Sequence, residues 1–302
     1  MRTAACRLAG VELNTTASTA GVRVAAVQMN AVADVAANLA HASALVAEAA
    51  DGGARVVVLP ENFSFMGHDD TERLAVAEAD GDGPAQAMLA ETAARHRVWL
   101  VGGTIPISVS GDARPAAACP VYDADGRRVA RYDKVHLFDV ALPDGESYRE
   151  SDGIAPGRAP VIVDTPAGRL GLAVCYDLRF PEFFRAMVAA GCTLFTVPAA
   201  FTAATGRAHW EVLLRARAVE NLSYVIAPGQ YGRHASGRET WGHSMIVDPW
   251  GQVLASRDDG SGIVVADLDL NAQQALRTRF PVLQHGRMPG APGFEPTTEG
   301  GQ

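Results

Sequence analysis

Arg169–Glu182 reads RLGLAVCYDLRFPE. Its first half is an apolar run suited to a buried strand, and Pro181 suits the first turn of a helix. Cys175 stands between the two, where a sharp turn would expose its sulfur. Two other stretches place a charged residue at the polar end of an apolar run. RVVVLP (55–60) leads to Glu61, and RVARYD (128–133) leads to Lys134. A thiol, an acid and an amine in such settings can make a covalent acyl-transfer site.

Singly, each residue has a plainer explanation. A lone cysteine is commonly a buried core residue, and Cys119 and Cys192, in apolar surroundings, read that way. Glu61 alone could be a surface acid that caps the next segment, and Lys134 alone a solvated loop lysine. Together, LPEN, YDKVHLFD and GLAVCYDLRFPE resemble the nitrilase superfamily of carbon–nitrogen hydrolases. The resemblance runs over about residues 22–288. It is close over FTAATGRAHWEVLLRARAVEN (201–221) and GHSMIVDPWG (242–251), which look like the Nit branch and, within it, the deaminated glutathione amidases.

Composition sets the outer limits. The chain has 302 residues, 48% of them hydrophobic and 20% charged, enough for a large core. A net charge of −8 with interspersed signs argues against a nucleic-acid partner. No apolar run approaches the ~20 residues a membrane-spanning helix needs. Scattered cysteines without a CxxC pair suit a reduced, cytoplasmic enzyme. Residues 1–21 read as a disordered extension, 22–288 as one hydrolase domain, and 289–302 as a flexible tail.

Along the chain, strands are expected at 22–28, 55–59 and 98–103, with helices at 34–50, 70–79 and 84–96. The strands 119–122 and 127–132 flank DADG, a hairpin signal, and DPWG turns between the strands 244–247 and 252–256. A second hairpin is expected at 161–174, helices at 181–190 and 209–221, and strands at 193–197, 224–227 and 263–267. The polar stretch 137–158 reads as a long functional loop. Strand–helix alternation followed by strand pairs gives α/β layers with a mixed sheet. The resemblance implies the more specific αββα sandwich, two mixed sheets flanked by helices.

The resemblance also implies roles. Cys175 is the expected nucleophile, its thiolate favoured by a nearby lysine or helix dipole. Glu61 is the expected general base, its pKa raised by burial. Lys134 would stabilise the oxyanion with the N–H of Tyr176. A second glutamate should position the lysine; Glu146 and Glu150 qualify, and the RES context selects Glu150. Arg179 is the residue expected to bind a substrate carboxylate, unless it serves only in an ion pair with Glu182. Thr205 is expected in the same pocket. The histidines show no metal-ligand spacing and no GxGxxG follows a strand, so neither metal nor nucleotide cofactor is expected. The implied substrate is a small amide carrying an α-keto acid, and the implied assembly at least a homodimer. Other readings are an ω-amidase, another member of the superfamily, a Cys175–histidine hydrolase using His209 or His243, and a non-catalytic partner-binding protein.

Overall fold

In the strand Val22–Gln28, Val24 and Ala26 face one hydrophobic core while Ala25 and Val27 face another. This period-two alternation with apolar residues on both faces marks a strand covered on both sides. The computed structural model describes residues 21–69, 72–142, 145 and 147–287. The expected extension, apart from Gly21, and the expected tail lie outside the described residues, as does Glu146.

The first half runs β1 (Val22–Gln28), α1 (Val35–Asp51), β2 (Val56–Val58), α2 (Glu72–Ala75), α3 (Pro84–His96), β3 (Trp99–Val101), β4 (Ile105–Ile107), β5 (Ala116–Tyr122) and β6 (Arg128–Asp133). A short hairpin, β7 (Asp139–Ala141) and β8 (Ser147–Arg149), and a single turn, α4 (Glu150–Gly153), follow. The second half runs β9 (Val161–Thr165), β10 (Gly168–Leu172), a 3-10 turn at Cys175–Arg179, α5 (Pro181–Ala189), β11 (Leu194–Thr196), α6 (Ala203–Asn221), β12 (Tyr224–Ala227), β13 (Tyr231–Arg233), β14 (Glu239–Trp241), β15 (Ser244–Val247), β16 (Val253–Arg257), β17 (Gly262–Leu268) and α7 (Leu270–Arg279).

One sheet is ordered β17-β1-β2-β3-β5-β4, with β6 also on β5; the other is β16-β15-β12-β11-β10-β9. Each has three parallel strands, β1-β2-β3 or β10-β11-β12, flanked by antiparallel ones. Val24, Val56 and Val101 of the first sheet share a core with Leu170, Leu194 and Val225 of the second. Helices α1 and α3 pack on the outer face of the first sheet through Leu45, Val46 and Leu89, and Phe184 of α5 and Leu214 of α6 pack on the second. This is the αββα sandwich that the resemblance implies. Among the described residues, no helix is long and apolar enough to cross a membrane.

Four expectations need correction. The helix expected at 70–79 contracts to α2, because Glu78 is spent elsewhere. Its buried carboxylate accepts from the backbone of Ala85 (2.6 Å) and Gln86 (3.2 Å) and so caps α3, while its backbone pairs with β4. The loop 137–158 contains the β7–β8 hairpin and α4. Helix α6 begins at Ala203, capped by Thr202, six residues before the expected His209 start. Helix α7 and the β13–β14 hairpin were not anticipated. Helix α7 is polar and is held by one face, with Gln273 and Arg277 donating to the backbone carbonyls of Thr193, Leu222 and Cys192.

Candidate active site

Lys134 follows the last residue of β6 and is fully buried. Its Nζ donates to Glu61 Oε1 at 2.7 Å and to Glu150 at 2.9 Å (Oε1) and 2.8 Å (Oε2). An ammonium carries three donors, and all three are used. Glu61 follows β2 through Leu59–Pro60. Its other oxygen accepts from the Ala200 backbone at 2.8 Å, and Gln230 Nε2 donates to its carbonyl at 3.0 Å. The Pro60 turn leans on Gly103, which has φ +51°; a Cβ there would lie 2.0 Å from the Pro60 carbonyl oxygen. Only glycine leaves that room. Glu150 opens α4, and its Oε2 also accepts from the Phe138 backbone at 2.7 Å. The loop thus delivers the glutamate that the RES context selects.

Cys175 is the first residue of the 3-10 turn and has φ +48°, left-handed backbone that a non-glycine residue adopts at a cost of about 1–3 kcal/mol. Asp177 holds this turn in place. Fully buried, it accepts from Val174 N (2.8 Å), the Tyr132 hydroxyl (2.7 Å) and His136 N (3.1 Å), and its Oδ1 lies 2.7 Å from His136 Nδ1. The strand end that carries Lys134 is therefore bonded to the turn that carries Cys175. The YDLR motif contains this residue, but nothing in its spacing distinguishes it from a loop acid.

Electrostatics set the resting protonation. Burial pushes the Glu61 carboxyl up, but the Lys134 charge and hydrogen bond outweigh it and hold it below the ordinary value. The expected raised pKa is corrected for that reason. Burial pushes Lys134 down, but Glu150 and Glu61 outweigh this and hold it above the ordinary lysine value. Burial, with the Glu61 charge, pushes the Cys175 thiol well above the ordinary value; Lys134 opposes this but does not prevail. The expected resting thiolate is corrected accordingly. At neutral pH Glu61 is a carboxylate, Lys134 an ammonium and Cys175 a neutral thiol.

These side chains line one narrow cavity together with Asn62, Phe138, Tyr148, Tyr176, Phe201, Thr202, Thr205, Arg73 and Arg238. A buried thiol beside a carboxylate and a charged amine is equipped for nucleophilic attack on a carbonyl. A carbon–nitrogen hydrolase family description matches residues 23–278. The chain belongs to that family. It is an amide-cleaving hydrolase. Deaminated glutathione amidase of Yersinia enterocolitica is 43% identical over 239 residues, 78% of this chain and 83% of that protein. The chloroplastic omega-amidase of Arabidopsis thaliana is 38% identical over 253 residues, 83% of this chain and 68% of that one. Nit3 of Saccharomyces cerevisiae, a member of branch 10 of the nitrilase superfamily, superposes with a TM-score of 0.79 at 30% identity, covering 87% of this chain and 95% of that one.

In this carbon–nitrogen hydrolase, Tyr176 and Thr205 line the cavity, and Arg179 does not. The Arg179 guanidinium sits behind the rings of Tyr176 and Phe201, 5.8 and 5.3 Å from their centroids, with Nη1 3.2 Å from His209 Nδ1. It forms no ion pair with Glu182 among the described residues; instead Arg217 Nε steadies the turn by donating to the Leu178 carbonyl at 3.0 Å. Among the described residues, no histidine lines the cavity. Arg238, which was not anticipated, lines it from the β13–β14 hairpin. That hairpin packs against α6, where a Cβ on Gly206 would fall 2.3 Å from Trp241. Cys119 and Cys192 are buried away from the cavity, and burial pushes the Cys192 thiol up to about 12. Among the described residues, no cluster of His, Cys, Asp and Glu is placed to hold a metal ion.

Proposed function

We propose that the chain hydrolyses the linear amide of an α-keto acid, deaminated glutathione first among them, through a thioester on Cys175. The observation that carries this is the Lys134 ammonium held between Glu61 and Glu150 in the cavity that Cys175 lines. The relative from Yersinia enterocolitica, named deaminated glutathione amidase, supports the choice of substrate.

Cys175 Sγ attacks the amide carbonyl carbon while its proton passes to Glu61. Oxyanion charge is taken up by Lys134 and by the N–H of Tyr176, which lies in the first turn after the nucleophile, where helical N–H groups lack intrahelical partners. The two events assist each other. Once Glu61 is protonated, its hold on Lys134 weakens, and a Lys134 N–H is released for the oxyanion as that oxyanion forms. Glu150, which contacts the ammonium through both oxygens, keeps it in place meanwhile. Glu61 then gives its proton to the departing amine. Water attacks the thioester, with Glu61 taking its proton, and the acid leaves as the thiol recovers a proton. From deaminated glutathione the products are cysteinylglycine and α-ketoglutarate.

The keto-acid end of the acyl group lies toward Thr202, Thr205 and Tyr176. Arg179 contributes charge from behind Tyr176 and Phe201. The protein acts in a reduced, cytoplasmic setting and assembles at least as a homodimer through helices beside the site. Comparing kcat/KM for deaminated glutathione, α-ketoglutaramate, aliphatic amides, carbamoyl amines and nitriles tests the substrate. The highest value on deaminated glutathione supports it. A far higher value on α-ketoglutaramate makes the protein an ω-amidase with the same catalytic residues, an alternative favoured by the Arabidopsis relative.

A further inference from the structure

A second, wider groove opens beside the catalytic cavity and shares Arg73, Tyr148 and Arg238 with it. The groove is also lined by Arg233, His68 and Asp69. Among the described residues, three arginines and one carboxylate line it, in a chain whose net charge is −8. The excess is local and lies where a bound molecule would leave the cavity.

Two of the arginines have donors to spare. Arg238 is anchored by Nη2 to the Ala200 carbonyl, at 2.6 Å, and by its guanidinium 5.0 Å from the Tyr148 ring centroid. Its Nε is buried with no hydrogen-bond partner. A buried unpaired donor carries a penalty that a bound acceptor removes. Arg233, at the end of β13, is exposed, and its guanidinium makes no hydrogen bond or ion pair among the described residues. Its cross-strand neighbour Glu239 does not neutralise it by an ion pair.

We infer that this groove is a subsite for the amine half of the substrate, and that Arg233 and Arg238 select amines ending in a carboxylate. The inference rests on the amidase reading above and deepens it. In an amide R–CO–NH–R′, the attacked carbonyl sits over Cys175 in the narrow cavity. The R′ group must then extend outward, and the groove continues from the cavity past Tyr148 and Arg238. A dipeptide-like R′ with a free carboxylate fits this charge, since planar guanidinium groups suit carboxylates. An unsubstituted amide, which releases only ammonia, does not use the groove.

The test is steady-state kinetics of the wild type, Arg233→Ala and Arg233→Glu on three substrates: deaminated glutathione, its C-terminal glycinamide and α-ketoglutaramate. Arg233 is exposed and outside the catalytic cluster, so these variants should fold normally. The wild type should prefer the free carboxylate to the glycinamide. Arg233→Ala should raise KM for deaminated glutathione by about fivefold, the scale of an exposed ion pair, with kcat unchanged. Arg233→Glu should raise it further and abolish the preference over the glycinamide. KM for α-ketoglutaramate should stay unchanged in both. Equal wild-type kcat/KM on acid and glycinamide, or an equal loss on all three substrates, would overturn the subsite and leave the amidase reading standing. No wild-type turnover of any of the three would overturn both.

Discussion

The Tyr132 hydroxyl donates a 2.7 Å hydrogen bond to Asp177 Oδ2 and accepts one from the Val135 backbone at 3.0 Å. This pair fixes the distance between the segment of Lys134 and the turn of Cys175. Tyr132→Phe leaves the Val135 N–H unpaired and Asp177 one donor short. We expect a loss of about 1–3 kcal/mol, seen as a fall of several degrees in Tm. We also expect kcat to fall with KM nearly unchanged. Asp177→Ala should be more severe, because several buried donors lose their acceptor at once. Thermal melts and kinetics of the two variants check this. A Tyr132→Phe protein with wild-type Tm and kcat would show that the link does not position the site.

The pH profile follows from the cluster. Glu61 is held below the ordinary carboxylate value, so the acid limb of kcat/KM should lie below about pH 4.3. Lys134 is held above the ordinary lysine value and the Cys175 thiol well above its own, so no alkaline limb should appear below about pH 9. Stability carries the same signs. The Glu61 contribution is present above its unfolded pKa and lost as pH falls through the lowered folded value. The Lys134 contribution is present below its unfolded pKa and lost as pH rises through the raised folded value. An acid limb above about pH 5, or an alkaline limb below about pH 9, would contradict this assignment.

Lys134→Met should lower kcat strongly, by the loss of oxyanion charge, and should cost about 3–5 kcal/mol by leaving buried carboxylates unpaired. With the cation gone, burial dominates Glu61, and the acid limb should move above the ordinary carboxylate value. The limb is the informative readout, since instability alone would not shift it. Unchanged kcat and an unchanged limb would favour a cysteine–histidine mechanism.

Glu150→Gln keeps the shape of the side chain but removes the charge that faces Lys134. It should lower kcat by at least about tenfold, whereas Glu146→Gln should leave kcat near wild type. Arg179→Met should reduce kcat/KM more on keto-acid amides than on neutral amides, because it removes the charge behind Tyr176 and Phe201. Equal losses on both would assign Arg179 to structure alone.

Much of this was legible in the chain because the signals were local. The runs before Glu61, Lys134 and Cys175 gave strand ends, and the structure places all three side chains in one cavity with Glu150. What escaped depended on contacts distant in sequence. Asp177 looks like any loop acid until the partners contributed by Tyr132 and His136 are seen. Arg238 sits in a polar hairpin whose docking on α6 relies on the absence of a side chain at Gly206. Glu78 reads as one more helical residue, yet tertiary structure uses it as a cap. The two pKa expectations failed for different reasons: for Glu61 burial was foreseen but not the Lys134 charge that outweighs it, and for Cys175 an exposed sulfur was expected where burial and the Glu61 charge push the thiol up.

The most direct test is intact-protein and peptide mass spectrometry of enzyme quenched in acid during turnover of deaminated glutathione. The account predicts an α-ketoglutaryl thioester on the peptide containing Cys175. It also predicts no adduct and no turnover in Cys175→Ala, and near-normal activity in Cys192→Ala. Full activity in Cys175→Ala, or an acyl group on another residue during turnover, would contradict it.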